Sequence, residues 1–233
     1  MKKIGVYYIV TGKYKDLFPE FLESLQNFFP DVPKSLKLIS DGLEEYKDYE
    51  LGNIKVDLCP RINHYPWPIV TLYKMYHILE NRDDTCDFVC YFNGNAAINI
   101  HDDNIFDLSK LNVSYHSFNG KNNPYDPWPY INVNPDSSAY IENGTYDYFQ
   151  AAFFFGPSNI VFKMCEDVGE LLKYDISRCI FAQWHDESYF NKWCYLNKPL
   201  INKDYYLTVY KDDLDKKRFI YLRDKSEYKI FKV

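Results

Sequence analysis

The chain lacks the features that would send it into a membrane or onto a nucleic acid. Its N-terminal segment, Met1-Lys2-Lys3-Ile4-Gly5, runs straight into an apolar stretch too short to span a bilayer, and no signal-peptide cleavage pattern follows. Basic residues are outnumbered, 27 Lys and Arg against 33 Asp and Glu. The formal net charge of −6 argues against a nucleic-acid backbone as main partner. The six cysteines, at positions 59, 86, 90, 165, 179 and 194, show no zinc-type spacing, and Cys86 and Cys90 lie within an apolar run. They read as small core residues in a reducing compartment. No repeat and no linker interrupts the chain. These absences set the expectation of a cytoplasmic protein without a membrane span, with peripheral contact to a membrane left open.

What is present fits an ordinary globular protein. Hydrophobic residues make up 46% and charged residues 26% of 233 positions, enough for one domain to bury a substantial core. Aromatics are abundant, with 23 Tyr and 17 Phe. Flat rings with polar tips suit sugar or nucleobase contacts, but most of these rings are expected in the core.

Ile4 to Val10 reads as a buried strand ending at Thr11-Gly12. Leu17, Phe21, Leu25 and Phe28 then recur at helical spacing until Pro30. Leu36 to Ser40 and Asn53 to Leu58 alternate as strands. Leu72, Met75, Tyr76 and Leu79 mark a helix face, and Phe88 to Phe92 is a short apolar strand. This β-α-β-β-α-β order predicts an α/β class with a largely parallel sheet. Later, the stretch from Asn119 to Asp136 has no period and reads as a binding loop or lid. Ser158 to Lys173 reads as a helix with Val161, Met164, Val168 and Leu171 on one face. The tail from Asp212 to Val233 carries Lys216, Lys217, Arg218, Arg223, Lys225, Lys229 and Lys232. It is either a solvated basic tail or a flexible clamp over an anionic ligand.

Three stretches hold residues suited to chemistry. In Tyr91-Phe92-Asn93-Gly94-Asn95-Ala96-Ala97 an apolar strand ends in two carboxamides around a glycine. Ligands of α/β sheets bind just beyond such strand ends, although Asn-Gly is also an ordinary turn. Carboxamides are poor substitutes for carboxylates toward a hard divalent cation. His101-Asp102-Asp103, close behind, is explained by a polar turn rather than by metal ligation. In Trp184-His185-Asp186-Glu187 two aromatic-flanked acids stand at a predicted helix start. Acids there complement the helix dipole, and from the pattern alone that plainer reading stands first. The functional reading is that one carboxylate serves an oxocarbenium-like centre during glycosyl transfer. Third, Lys74 follows Trp67-Pro68-Ile69-Val70-Thr71-Leu72-Tyr73. It is suited to a phosphate or a sugar hydroxyl and by itself would be a surface lysine.

Gln183-Trp184-His185-Asp186-Glu187-Ser188, followed by Asn191-Lys192 and Leu196-Asn197-Lys198-Pro199, resembles the signature segment of glycosyltransferase family 6. That family includes the blood-group A and B transferases and the α-1,3-galactosyltransferase. The likeness extends to Ile9-Val10-Thr11-Gly12-Lys13-Tyr14, to Trp67 with Lys74 and Met75, to Ser138-Ala139-Tyr140-Ile141 and to Gln150-Ala151-Ala152. It implies one GT-A domain over residues 1–233, a Rossmann-like mixed sheet flanked by helices, with a basic tail (about 212–233) closing on the donor. The implied reaction is retaining transfer of N-acetylgalactosamine or galactose from a UDP-sugar, in α-1,3 linkage, to an acceptor galactose. The resemblance makes Glu187 the catalytic carboxylate. It places Ile9, Val10, Thr11, Tyr14, Lys74, Asn93, Gly94, Asn95, Gln150, Ala151, Ala152, Asp186, Lys225, Lys229 and Lys232 around the donor. His116, Trp184 and Gln150 fall to the acceptor.

The chain departs from the animal members of that family where their metal-binding Asp-x-Asp becomes Asn93-Gly94-Asn95, and it shows no N-terminal anchor. Both departures are similar to bacterial, metal-independent members, so no cofactor is expected and lysines would take the diphosphate. The small Ala151-Ala152 leans toward UDP-GalNAc over UDP-Gal. His116 leans toward a fucosylated (H-type) galactoside acceptor. A non-catalytic sugar-nucleotide or glycan-binding module is the reading from another class. A glycoside hydrolase is disfavoured, because neighbours in one helix turn do not flank a glycosidic bond.

Overall fold

The structure is a computed structural model that describes residues 2–63, 68–99, 103–115, 134–142, 147–204, 207–208, 220–223 and 225. β1 (Ile4–Val10) is buried along its whole length because both faces of the sheet are covered. Ile4, Val6, Tyr8 and Val10 face one apolar layer with Phe18, Phe21 and Leu22 of α1 (Phe18–Ser24). Tyr7 and Ile9 face the other layer, together with Met75 and Ile78 of α3 (Lys74–Glu80) and Val161, Met164 and Val168 of α4 (Ser158–Ser177). Strand alternation thus assigns each side chain to a layer.

β1 pairs in parallel with β2 (Lys34–Ser40) on one side and β5 (Phe88–Phe92) on the other. β4 (Ile54–Leu58) continues the parallel set beyond β2, with the short β3 (Glu50–Leu51) antiparallel at the edge. On the far side β8 (Phe149–Pro157) runs antiparallel to β5 and to β7 (Leu111–Tyr115), and β9 (Ile201–Asp204) is parallel to β7. The eight strands lie in the order β3-β4-β2-β1-β5-β8-β7-β9. The chain builds outward from β1 to β4 and then returns to β5 on the opposite flank of β1. The crevice beyond the carboxyl ends of β1 and β5 is therefore a topological switch point, where ligands of such sheets bind. The expected largely parallel sheet is correct for the first half only, and the second half makes it mixed.

A second, three-stranded sheet joins β10 (Leu207–Thr208), β11 (Ile220–Leu222) and β6 (Ala96–Ile98). This corrects part of the tail reading. Ile220 to Arg223 is neither solvated nor a loose clamp, because β11 pairs antiparallel with β6 and Ile220 and Leu222 enter the core. The remaining elements are α2 (Ile69–Leu72) and α5 (His185–Leu196). The tight cluster of Tyr8 stacked on Phe21, and of Phe28 against Phe92, Phe106 and Phe155, places many of the rings in the core as expected. Among the described residues no helix is long and apolar enough to cross a membrane.

Helix α4 exceeds its expected end at Lys173 by one turn. Leu172 rather than Leu171 completes its buried face, and Asp175 follows it inward. That carboxylate accepts hydrogen bonds from the Ser137 and Tyr189 hydroxyls, the Ser138 N–H and Arg178. It ties the 134–142 segment and α5 to α4, and these partners hold its pKa below the usual carboxylate value although burial pushes it up. Of the cysteines, 86, 90, 165 and 194 are buried as expected. Cys179 is exposed, at φ 57° just past the end of α4, where its N–H and that of Ile180 close the last helical turn.

Candidate active site

Helix α5 begins on an irregular turn. His185 adopts φ 49°, in the left-handed region that a non-glycine residue enters at a cost. The Trp184 N–H donates to the Ser188 hydroxyl, and the N–H of Glu187 to the Trp184 carbonyl. One turn later Asn191 grips β8 as a strand would, accepting from the Phe149 N–H and donating to its carbonyl and to that of Glu187. Trp193 donates to Asp167 and Tyr189 to Asp175, so α5 is fixed to β8 and to α4. The two acids of its first turn are consequently held against the start of β8.

Glu187 is the better defined of the two. Its Oε1 accepts from the Tyr148 hydroxyl at 2.8 Å and its Oε2 from the Ala151 N–H at 3.0 Å. Burial pushes its pKa up to about 7, and the neighbouring Asp186 charge adds to this. The Ala151 N–H, Tyr148 and Lys74 oppose the rise. A carboxyl poised near neutrality is typical of groups that carry chemistry. Asp186 accepts from the Lys74 ammonium at 2.7 Å, and Lys74 also donates to the Ala151 carbonyl at 2.5 Å and lies 4.5 Å from the centre of the Tyr91 ring. Lys74 is only 2% exposed, so it is not a surface lysine. Burial alone would lower its pKa, but Asp186 and Tyr91 outweigh that and the net displacement is upward.

One residue before Ala151 in β8, Gln150 is 3% exposed and its side-chain Nε2 has no hydrogen-bond partner among the described residues. A buried amide donor without a partner is costly, and a polar ligand group would satisfy it. The Ala152 carbonyl, next to Ala151, accepts from the Asn93 N–H at 2.8 Å, which joins the start of β8 to the turn at the end of β5.

That turn carries the second cluster of expected residues. The Ala96 N–H to Asn93 carbonyl bond closes it, and Tyr8 donates to the Gly94 carbonyl at 2.6 Å. Gly94 is closely approached by its neighbours. A Cβ there would stand 3.1 Å from both Tyr14 Cδ1 and Val10 Cγ1 and 3.3 Å from the Ile9 carbonyl. Thr11 accepts from the Tyr14 N–H, and Tyr14 is buried enough to push its phenol up to about 12. Lys225 reaches the same place, its ammonium 5.4 Å from the centre of the Tyr14 ring. Ile9, Val10, Thr11, Tyr14, Asn93, Gly94, Asn95 and Lys225 thus line one end of the sheet, and Lys74, Gln150, Ala151, Ala152, Asp186, Glu187 and the partly exposed Trp184 continue it. Trp67, His116, Lys229 and Lys232 lie outside the described residues, as do His101 and Asp102; Asp103 accepts the Phe29 N–H.

Tyr148 meets Glu187 without having been named in the sequence, and Tyr91 and Asn191, named there only within longer stretches, contact Lys74 and Glu187. Asn191 carries a readable signal, four residues beyond Glu187 on the same helix face. Tyr91 carries none of its own, since a tyrosine in an apolar strand reads as core, and neither does Tyr148, which lies just before β8. Tyr148→Phe is expected to remove a donor to the ionised Glu187 carboxylate. Because that hydrogen bond lowers the Glu187 pKa, the acid limb of the variant's pH–kcat/KM profile is expected at higher pH than that of the wild type, with activity returning in more alkaline buffer. An unshifted limb would exclude Tyr148 from this role.

An eight-stranded mixed sheet of this order flanked by helices is that of a GT-A-like glycosyltransferase fold. The sequence model of glycosyltransferase family 6 matches residues 102–217. Over 232 residues, 96% of this chain and 95% of the relative, the protein is 26% identical to the O-antigen biosynthesis glycosyltransferase WbnI of Escherichia coli. The chain belongs to glycosyltransferase family 6.

Proposed function

We propose that the protein transfers N-acetylgalactosamine from UDP-GalNAc, with retention, in α-1,3 linkage to the galactose of a fucosylated (Fucα1-2Gal) oligosaccharide, without a divalent cation. The observation that carries this reading is the Glu187 carboxyl, held by Tyr148 and the Ala151 N–H, with the Gln150 amide, unpartnered among the described residues, one residue before Ala151 in β8. As the bond from the anomeric carbon to the diphosphate breaks, the ionised Glu187 faces the positive charge that develops there, as nucleophile or as charge partner. The acceptor hydroxyl forms the new bond on the face the diphosphate leaves, and its proton passes to the departing phosphate oxygen. Asp186, fixed by Lys74, receives sugar hydroxyls, and Tyr14 with the Ile9–Thr11 strand end takes the uracil. Lys225, Lys229 and Lys232 neutralise the diphosphate. His116 and Trp184 line the acceptor. The setting is the bacterial cytoplasm, and the likeness to an O-antigen biosynthesis enzyme favours a surface-glycan acceptor.

The donor chemistry of the turn supports a metal-free reaction. A hard cation needs oxygen ligands, preferably carboxylates. Residues 93 and 95 are carboxamides, and the Asn95 Oδ1 already accepts from Asn93 Nδ2 at 2.6 Å. Turnover of UDP-GalNAc with 2′-fucosylated lactose is expected to be unchanged in EDTA, read by mass spectrometry of the product. Product with UDP-galactose alone would replace the donor, product only on adding Mn²⁺ would remove the metal-free element, and no product with any UDP-sugar would leave the binding-module reading.

A further inference from the structure

The turn that carries Asn93 and Asn95 is occupied by the protein's own C-terminal segment. Asn95 is 3% exposed, and its Nδ2 donates to the Arg223 carbonyl at 2.8 Å, while the Arg223 N–H returns a bond to the Asn95 carbonyl at 2.9 Å. A backbone carbonyl only accepts, so the group facing it must be the amide nitrogen, and this leaves Oδ1 to receive Asn93. The Arg223 side chain, 6% exposed, completes the joint. It donates to the carbonyls of Leu17 at 2.9 Å, Ala96 at 3.1 Å and Asn95 at 3.4 Å, and to Glu20 at 2.6 Å. Two residues further on, the partly buried Lys225 ammonium sits over the Tyr14 ring, within cation–π range, and Tyr14 in turn packs against Gly94 of the turn.

We infer that Asn95 is a positioning residue: its carboxamide docks the main chain at Arg223 and thereby sets the Lys225 ammonium over Tyr14, so that the turn holds a polypeptide where a carboxylate would hold a cation. The second half of this inference rests on the sugar-nucleotide reading. A carboxylate at position 95 would be acceptor-only and would face the Arg223 carbonyl in a buried place, where two acceptors repel and neither is satisfied. The docked segment and a carboxylate at this position are therefore incompatible, which gives the amide a reason to be there beyond the loss of a ligand. Burial lowers the Lys225 pKa, so the ammonium held at this spot is under-solvated and gains from an incoming phosphate.

Two readouts test this with the full chain: amide hydrogen exchange over Ile220–Arg223 without nucleotide, and UDP affinity by titration calorimetry. Asn95→Asp is expected to speed exchange over Ile220–Arg223 and to weaken UDP binding by about tenfold, the loss of one buried hydrogen bond. Lys225→Ala is expected to weaken UDP binding to a similar extent without changing that exchange. The double variant is expected to bind no more than about threefold worse than the poorer single one, because the two residues act through one placement. Unchanged exchange in Asn95→Asp, affinity losses that multiply, or recovery of wild-type affinity on adding Mn²⁺ to Asn95→Asp would each overturn the inference. If Asn95→Asp does not fold, Asn95→Ala removes the same carboxamide without adding a charge, and the exchange and additivity outcomes decide. Failure of the wild-type protein to bind UDP would overturn the Lys225 half together with the sugar-nucleotide reading. Unchanged exchange would overturn the docking and leave that reading standing.

Discussion

Glu187→Gln is expected to abolish most turnover, by roughly a hundredfold or more, while UDP binding is kept and the folded state becomes more stable in neutral and alkaline buffer. The two effects have one origin. The glutamate carboxyl loses water at its place beside β8, which raises its pKa from an ordinary 4.5 to about 7. The unfolded chain then releases its proton at lower pH than the folded protein, so folding stability falls as pH rises from about 4.5 to about 7 and stays reduced above that. Each unit of displacement corresponds to about 1.4 kcal/mol, so after allowance for partial solvent contact the ionised carboxylate costs roughly 1–3 kcal/mol. A glutamine still accepts from the Ala151 N–H and meets the Tyr148 oxygen, and it carries no charge. Thermal melting of wild type and variant should therefore coincide near pH 4 and separate above 7, with the variant higher. Equal melting at pH 8, or near-full activity, would show that Glu187 is an ordinary helix-start acid. Under the proposed function, lost turnover together with gained stability in this variant would be an instance of stability given up for function.

Much of this geometry was legible in the sequence, and the parts that were not share a cause. β1, β2, β4, β5, α3 and α4 announce themselves through local periodicity, because each buries a face whose pattern lies within a few residues. The strand end at Asn93 and the helix start at Asp186-Glu187 were visible for the same reason. There Glu187 sits in the first turn of α5, as the plainer reading has it, and also meets Tyr148 and the Ala151 N–H. Long-range pairing was not visible. Lys74 reads as a surface residue until Asp186, 112 positions later, is known to face it. Arg223 reads as one more tail cation until Asn95, 128 positions earlier, is seen to bind its main chain. The antiparallel return of β8 beside β5, which brings Gln150 and Ala151 to the switch point, has no local signature, because an apolar strand reads the same in either direction. Family likeness supplied the functional grouping of these distant residues, and the fold supplies the contacts.

Lys74→Met is expected to cost about 3–5 kcal/mol of folding stability, because it leaves the Asp186 carboxylate buried without its cation. For a chain of this length that lowers the melting temperature on the order of 10 °C. Methionine matches the lysine stem in volume, so the loss reports the charge rather than a cavity. Coupling Lys74→Met with Asp186→Leu removes both charges, and most of the lost stability should return. A remainder of roughly 1–3 kcal/mol is expected, because the Ala151 carbonyl no longer receives the lysine proton. Activity should not return with stability. The pair is buried at the edge of the crevice, and a well-packed apolar pair would hold the fold as well, so under the proposed function it is the Asp186 oxygen offered to sugar hydroxyls, not packing, that the double variant lacks. A double variant as unstable as Lys74→Met alone would mean that Lys74 acts through its bond to Ala151 and not through Asp186. A double variant that regained turnover would remove Asp186 from the donor site.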